Sequence, residues 1–114
     1  MDNPPAFERG VLHFNQREFF EAHEVWEGIW LKTAGSERDL YKGLIQAAVA
    51  CHHAASGNYP GALKVYRTSM AYLENYPPQA LGLNLEKFRK ELRHYFGELE
   101  NSQSTAGLEP PLLI

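Results

Sequence analysis

This chain is organised around the run Phe19-Phe20-Glu21-Ala22-His23-Glu24-Val25-Trp26-Glu27-Gly28-Ile29-Trp30. A helix advances about 100° per residue, so one face of this run would carry six side chains: Phe19, Phe20, His23, Trp26, Glu27 and Trp30. Two of them, His23 and Glu27, are ionisable and stand one turn apart among large aromatic rings. We expect both to be desolvated, and a buried carboxylate has to be paired or protonated. The run thus predicts a central helix with a polar centre on its aromatic face.

Length, charge and cysteine content set the broad class of the protein. With 114 residues, of which 44% are hydrophobic, the chain can bury a core without disulfides or a metal. A net charge of -3 and the lack of a basic stripe argue against nucleic acid as a partner. No apolar segment approaches the roughly 18 residues that a membrane span needs, so no membrane association is expected. The lone Cys51 lies in an apolar helical run and predicts an inert core thiol in a cytoplasmic protein.

Helix-start signals divide the first part of the chain. Asn3 followed by Pro4 is typical of the start of a short leading helix. Asn15, with Glu18 three residues later, has the spacing of a capping box and predicts a second helix over residues 16–31.

Three further helices follow. The third is predicted over residues 37–56, and its small side chains should let neighbouring helices approach closely. Asn58 is the predicted cap of a fourth helix that Pro77-Pro78 stops, and Asn84 is the predicted cap of a fifth after a loop at residues 79–83.

The predicted fold is therefore all-α: a single-domain helical bundle of four main helices plus a short N-terminal helix. No strand alternation or Asn-Gly hairpin signal interrupts the helical periodicity. We expect the domain to occupy residues 1–100 and residues 101–114, rich in Ser, Gln, Thr, Gly and Pro, to be a disordered tail.

A polar stripe on the third helix completes the candidate site. Gln46 and His53 stand two turns apart and would converge with His23 and Glu27 if that stripe faced the second helix. These four residues form the candidate ligand-binding site. Of them, His23, Glu27 and His53 match the nitrogen and oxygen ligands of zinc or iron, so a divalent metal is the candidate cofactor. The residues expected to support the site are Glu21, Glu24, Trp26, Trp30 and Arg38.

A structural explanation of the same cluster stays open. An ionised Glu27 that accepts hydrogen bonds from His23, Gln46 or Arg38 would fix the register of two helices in an apolar core. The zinc-protease helix motif is absent, because it needs a second histidine where Glu27 stands. Whether the protein is an enzyme is left open.

The alternative function is a helical protein-interaction module. The pattern Phe19-x-x-Ala22-x-x-x-Trp26 recurs as Tyr59-x-x-Ala62-x-x-x-Tyr66, and stacked helix pairs use such aromatic and small positions. Two copies are fewer than the three that a repeat array needs. A protein partner, or a homodimer through the first or fifth helix, would fit this interpretation.

Three blocks in order resemble a known family: the run Phe19 to Glu27 with Trp30; Gly43-Leu44-Ile45-Gln46-Ala47-Ala48 with His53; and Gly57-Asn58 with Gly61-Ala62. They resemble the domain of unknown function family three hundred and nine, a small all-helical domain of bacteria, archaea and plastids with no settled activity. The resemblance implies that the family's polar positions match Glu21, His23, Glu24, Glu27, Gln46 and His53. It supports the fold and leaves the function open.

Overall fold

The computed structural model describes residues 5–113, which form five helices and one short hairpin. The helices are α1 (Pro5–Asn15), α2 (Phe19–Trp30), α3 (Glu37–Ala55), α4 (Tyr59–Leu73) and α5 (Leu85–Ser102). They pack in chain order, with α3 between α2 and α4, α1 against α2, and α5 against α4. The predicted all-α fold is confirmed. Across residues 5–113, no helix combines the length and apolarity that a bilayer crossing requires.

The indole of Trp26 is the centre of the α1–α2 contact. Trp26 is fully buried, and its Nε1 donates a hydrogen bond of 3.3 Å to the carbonyl oxygen of Phe7. Gly10 faces the same ring so closely that a Cβ there would lie 2.1 Å from the indole Nε1. Helix α1 therefore rests directly on the tryptophan, and only glycine fits at the contact.

Small residues bring α3 and α4 together, as their sequence predicted. A Cβ on Gly43 would lie 2.7 Å from Cδ2 of Leu73, and the buried Ser69 Oγ donates to the Gly43 carbonyl oxygen at 2.8 Å. Cys51 is fully buried in α3, and burial raises the pKa of its thiol. Because the thiolate is the reactive form, this cysteine is inert, as expected.

Two of the predicted helix caps are confirmed. Asn58 Oδ1 accepts from the Gly61 N–H at 3.2 Å, and Asn84 Oδ1 accepts from the Lys87 N–H at 3.1 Å. The predicted start at Asn3 and Pro4 lies outside the described residues.

The predicted capping box at Asn15 and Glu18 is wrong. Helix α1 continues through Asn15, Arg17 reverses the chain with a φ of 67°, and α2 begins at Phe19. The Glu18 side chain caps no N–H of α2; its Oε1 lies 2.8 Å from His13 Nδ1 instead. The i+3 spacing is present, but Glu18 contacts His13 across the turn between α1 and α2, and the Asn15 side chain contacts Leu113.

A short hairpin occupies the predicted loop before α5. Strand β1 (Gln79–Ala80) pairs antiparallel with β2 (Leu83–Asn84). The two turn residues, Leu81 and Gly82, both have positive φ, at 52° and 72°, as tight two-residue hairpin turns require. Leucine is rare at the first of these positions, so the sequence carried no recognisable hairpin signal.

The C-terminal segment packs onto the helices, which differs from the disordered tail that its composition predicted. Asn15 and Leu113 exchange two hydrogen bonds of 2.8 Å, the amide Nδ2 donating to the Leu113 carbonyl and Oδ1 accepting from the Leu113 N–H. Pro111 and Leu113 are buried, and the Leu112 N–H donates to Glu91 Oε1 at 3.1 Å. Two apolar anchors and the hydrogen bonds of Asn15 and Glu91 hold this segment on the helices.

We expect Gly10→Ala to lower the free energy of unfolding by about 1–3 kcal/mol, because the new methyl group must displace the packed indole of Trp26. Gly28→Ala is the matched control. Gly28 also lies within a helix, but a Cβ there meets nothing within 4 Å, so alanine should stabilise the protein by about 0.5–1 kcal/mol. Urea unfolding of both variants measures the difference; equal effects would contradict the close α1–α2 contact.

We expect Asn15→Ala to destabilise the protein by about 1–3 kcal/mol, because it removes two hydrogen bonds that hold Leu113. Amide hydrogen exchange at Leu113 should accelerate in the same variant. Asn75→Ala is the control, since that exposed side chain only donates to the Ala71 carbonyl within its own helical region. Unchanged protection of Leu113 in Asn15→Ala would show that the tail is held by other contacts.

Candidate functional site

The predicted pair of His23 and Glu27 forms, but at the surface. The His23 Nε2 lies 3.6 Å from Glu27 Oε2, and the two side chains are 22% and 51% exposed, respectively. The expectation that both groups are desolvated among aromatic rings is therefore wrong for Glu27. An exposed pair of this kind contributes little to folding, roughly 0–1 kcal/mol.

The orientation of α2 explains this difference. Phe19, Ala22 and Trp26 form its buried face, whereas Phe20 is 48% exposed. Helix α2 is apolar over most of its circumference, so periodicity alone did not determine which arc would face the core. Helices α1 and α3 cover the arc centred on Ala22 and Trp26, and Phe20, His23 and Glu27 lie at its edge.

A small cavity lies between this edge of α2 and the second half of α3. Its volume is about 230 Å³, and its lining is mainly apolar. We call it the histidine cleft; its lining residues are Phe19, Phe20, His23, Val49, His52 and His53. It brings two of the four predicted site residues, His23 and His53, to one place.

Aromatic rings form the mouth of the histidine cleft. The ring centroid of Phe20 lies 5.5 Å from that of His23 and 5.7 Å from that of His52, and the rings of His52 and His53 are 6.1 Å apart. His52 also lines the cleft but was not among the predicted site residues. Val49, His52 and His53 stand at i, i+3 and i+4, a spacing that places all three on one face and would have identified it.

The other two predicted residues do not line the cleft. Glu27 is not part of the lining; its carboxylate lies beside the His23 ring, which is. Gln46 is half-buried two turns before His53 on α3. The convergence of all four side chains in one polar cluster is thus not what the structure shows.

The predicted metal site is not assembled. Within residues 5–113, no three His, Cys, Asp or Glu side chains are placed so that they could hold a metal ion. His23 and Glu27 lie one turn apart on α2, while His53 belongs to the opposite wall of the cleft. The ligand set predicted for zinc or iron, His23, Glu27 and His53, therefore does not meet at one point.

Three of the five predicted supporting residues, Trp26, Trp30 and Arg38, have structural partners. Arg38 Nη1 donates to the carbonyl oxygens of Trp30 and Thr33 at 3.0 and 3.1 Å, and its guanidinium lies 4.1 Å from the Trp30 ring centroid. Arg38 thus closes the C-terminal end of α2. Glu21 and Glu24 are exposed on α2 and line no part of the cleft.

The sequence is similar to proteins of unknown function. An uncharacterized protein of Aquifex aeolicus is 32% identical over 88 residues, which are 76% of this chain and 26% of that protein. The uncharacterized protein YpuF of Bacillus subtilis is 26% identical over 113 residues, 96% of this chain and 65% of YpuF. The chain thus spans less than two thirds of the length of either relative.

A solved structure and a family profile agree with these similarities. The crystal structure of the conserved hypothetical protein TTHA0068 from Thermus thermophilus matches with a TM-score of 0.72 and 33% identity, covering 82% of this chain and 97% of that one. The profile described as a domain of unknown function, DUF309, matches residues 7–65, just over half of the chain. The resemblance seen in the sequence is confirmed, and the chain belongs to the DUF309 family.

Proposed function

We propose that this protein binds a small, largely apolar ligand in the histidine cleft. The observation that carries the proposal is the cavity of about 230 Å³ beside Phe20, a large apolar side chain that is 48% exposed. Ligand sites are typically concave and mostly apolar, with a few polar groups that orient the ligand. The histidine cleft has this composition.

The size of the cleft limits the ligand. Sites for drug-sized molecules usually enclose about 300–1,000 Å³, so a cavity of about 230 Å³ fits a molecule of roughly one aromatic ring. Phe20 gives such a ring a partner at the mouth of the cleft, and aromatic pairs contribute about 0.5–1.5 kcal/mol beyond burial of their area.

The exposure of Glu27 favours binding over a purely structural role for the histidines. A structural network is needed where buried charge must be compensated, but Glu27 remains half-exposed and its partner His23 lines the cleft. Nothing in the helix contacts of residues 5–113 requires an imidazole at His52, whose ring lies against Phe20 and His53.

A cytoplasmic setting belongs to this proposal and accords with the buried, unpaired Cys51.

An interaction module is the second candidate function. It is supported by three exposed large hydrophobic side chains on or next to α1 and α2: Leu12, Phe20 and Leu31. A second copy or another protein that covers these side chains would bury them. Light scattering of the purified protein distinguishes a monomer from a dimer.

We expect benzyl alcohol, a neutral single-ring probe, to shift the NMR signals of residues that line the histidine cleft. Phe20→Ala should weaken this binding by about tenfold, because the ring that stacks on the probe is lost. Leu12→Ala is the matched control, since Leu12 is also an exposed apolar side chain but does not line the cleft. Shifts scattered over the surface, or equal weakening in both variants, would contradict the proposal.

A further inference from the structure

We infer that the surface between the α1–α2 turn and α5 is a binding site for an extended protein segment with the pattern proline-x-leucine. We call it the peptide groove; its polar residues are Asn15, Arg17 and Glu91. The chain's own residues 108–113 occupy the groove, and a separate peptide of the same chemistry binds there once they are released. The groove shares no residue with the lining of the histidine cleft, so this inference goes beyond the proposed function.

Side chains of the helices hold the backbone of residues 108–113 as a neighbouring β-strand would. Asn15 exchanges two hydrogen bonds of 2.8 Å with Leu113: its Nδ2 donates to the carbonyl oxygen, and its Oδ1 accepts from the N–H. Paired residues of an antiparallel sheet exchange the same two bonds. The Leu112 N–H donates to Glu91 Oε1 at 3.1 Å. Because all three bonds are made to backbone groups, they position an extended peptide whatever its side chains are.

Burial alternates along the segment and determines which peptide fits. Pro111 and Leu113 are buried, whereas Leu112 between them is 38% exposed. Successive side chains of an extended chain point to opposite sides, so the groove encloses every second one. Main-chain hydrogen bonds combined with pockets for alternate side chains are a recurring mode of peptide recognition. The pockets that hold Pro111 and Leu113 therefore select the proline-x-leucine pattern.

Two consecutive prolines prepare the segment for binding. Proline fixes φ near −65° and disfavours helical conformation at the residue before it, so Glu109 and Pro110 stay extended in a free chain as well. A peptide that is already extended loses less conformational entropy when it binds. Glu109 also forms an ion pair of 2.8 Å with Arg17, but both side chains are exposed, and the pair contributes little to binding.

A short connection ties the segment to the helices. Helix α5 ends at Ser102, and residues 103–107 turn the chain back, with positive φ at Gln103 and Gly107. A cavity of about 470 Å³ lies between α5 and part of the segment, with Lys90 on one side and Leu112 on the other. The segment is thus seated on the helices like a tethered ligand. Such a tether gives an effective concentration of millimolar order, so a separate peptide competes poorly until the segment is released.

The test uses the full chain with Pro111→Ser and Leu113→Ser, which release the segment and leave Asn15 and Glu91 in place. The probe is a fluorescein-labelled, C-terminally amidated peptide with the sequence of residues 108–113. Fluorescence anisotropy should show saturable binding to this released variant and binding weaker by roughly tenfold or more to the unmodified chain, where the tethered segment competes. A control peptide with the same two serine changes should also bind roughly tenfold more weakly, because both pockets stay unfilled.

A further change in the released variant separates recognition from stability. Asn15→Ala should weaken peptide binding by roughly tenfold, because two hydrogen bonds to the peptide backbone are lost. It should leave the urea unfolding midpoint of the released variant nearly unchanged, since the segment that Asn15 holds is already displaced. Asn75→Ala is the matched control and should change neither measurement, because that side chain donates to the Ala71 carbonyl.

A folded released variant that does not bind the peptide, or that binds the control peptide equally well, would overturn the inference. Loss of the whole fold in that variant would also overturn it, because residues 108–113 would then be part of the core. Amide hydrogen exchange of the unmodified chain is an independent check. The protection factors of Leu112 and Leu113 should be lower than that of the buried Ala48 in α3 by roughly tenfold or more, because the segment opens locally. Equal protection would mean that the segment leaves only on global unfolding and would contradict a releasable ligand.

Discussion

The contact between the Trp26 indole and the backbone of Gly10 determines how α2 is oriented. An indole is the largest side chain to bury, and here it is completely enclosed, with its N–H satisfied by the Phe7 carbonyl. Once Trp26 points between α1 and the core, the angular positions of all other α2 residues follow from the helix geometry. Phe20 and His23 must then lie at the edge next to α3, where the histidine cleft opens.

Sequence periodicity predicted the elements of the fold well because each helix carries its own signals. Asn58 and Asn84 cap the helices that they were predicted to start, and the small residues around Gly43 allow the close α3–α4 packing. The arc of α2 that faces inward could not be predicted in the same way. Apolar side chains cover most of that helix, and the choice depends on a contact with Gly10, which sequence pattern does not identify.

The predictions for Glu27 and for the C-terminal segment are wrong for the same physical reason. Glu27 was expected in the core because it shares a helical face with aromatic residues, and the C-terminal segment was expected to be disordered because it is rich in Ser, Gln, Thr, Gly and Pro. Composition averages over side chains, whereas packing depends on individual ones. Pro111 and Leu113 are buried and hold the C-terminal segment on the helices. Glu27 is half-exposed because it lies on the part of α2 that faces solvent. The metal hypothesis depended on the convergence of His23, Glu27 and His53, which residues 5–113 do not show, whereas His23 and His53 both line the histidine cleft.

The connection between α3 and α4 links the stability of the fold to the chemistry of the cleft. Asn58 caps α4 with its side-chain oxygen and uses its side-chain nitrogen on His53, so one amide serves both purposes. A serine or an aspartate would cap α4 comparably, but neither has an amide N–H that only donates. Asn58 thus connects the start of α4 to the last turn of α3 through both ends of its amide.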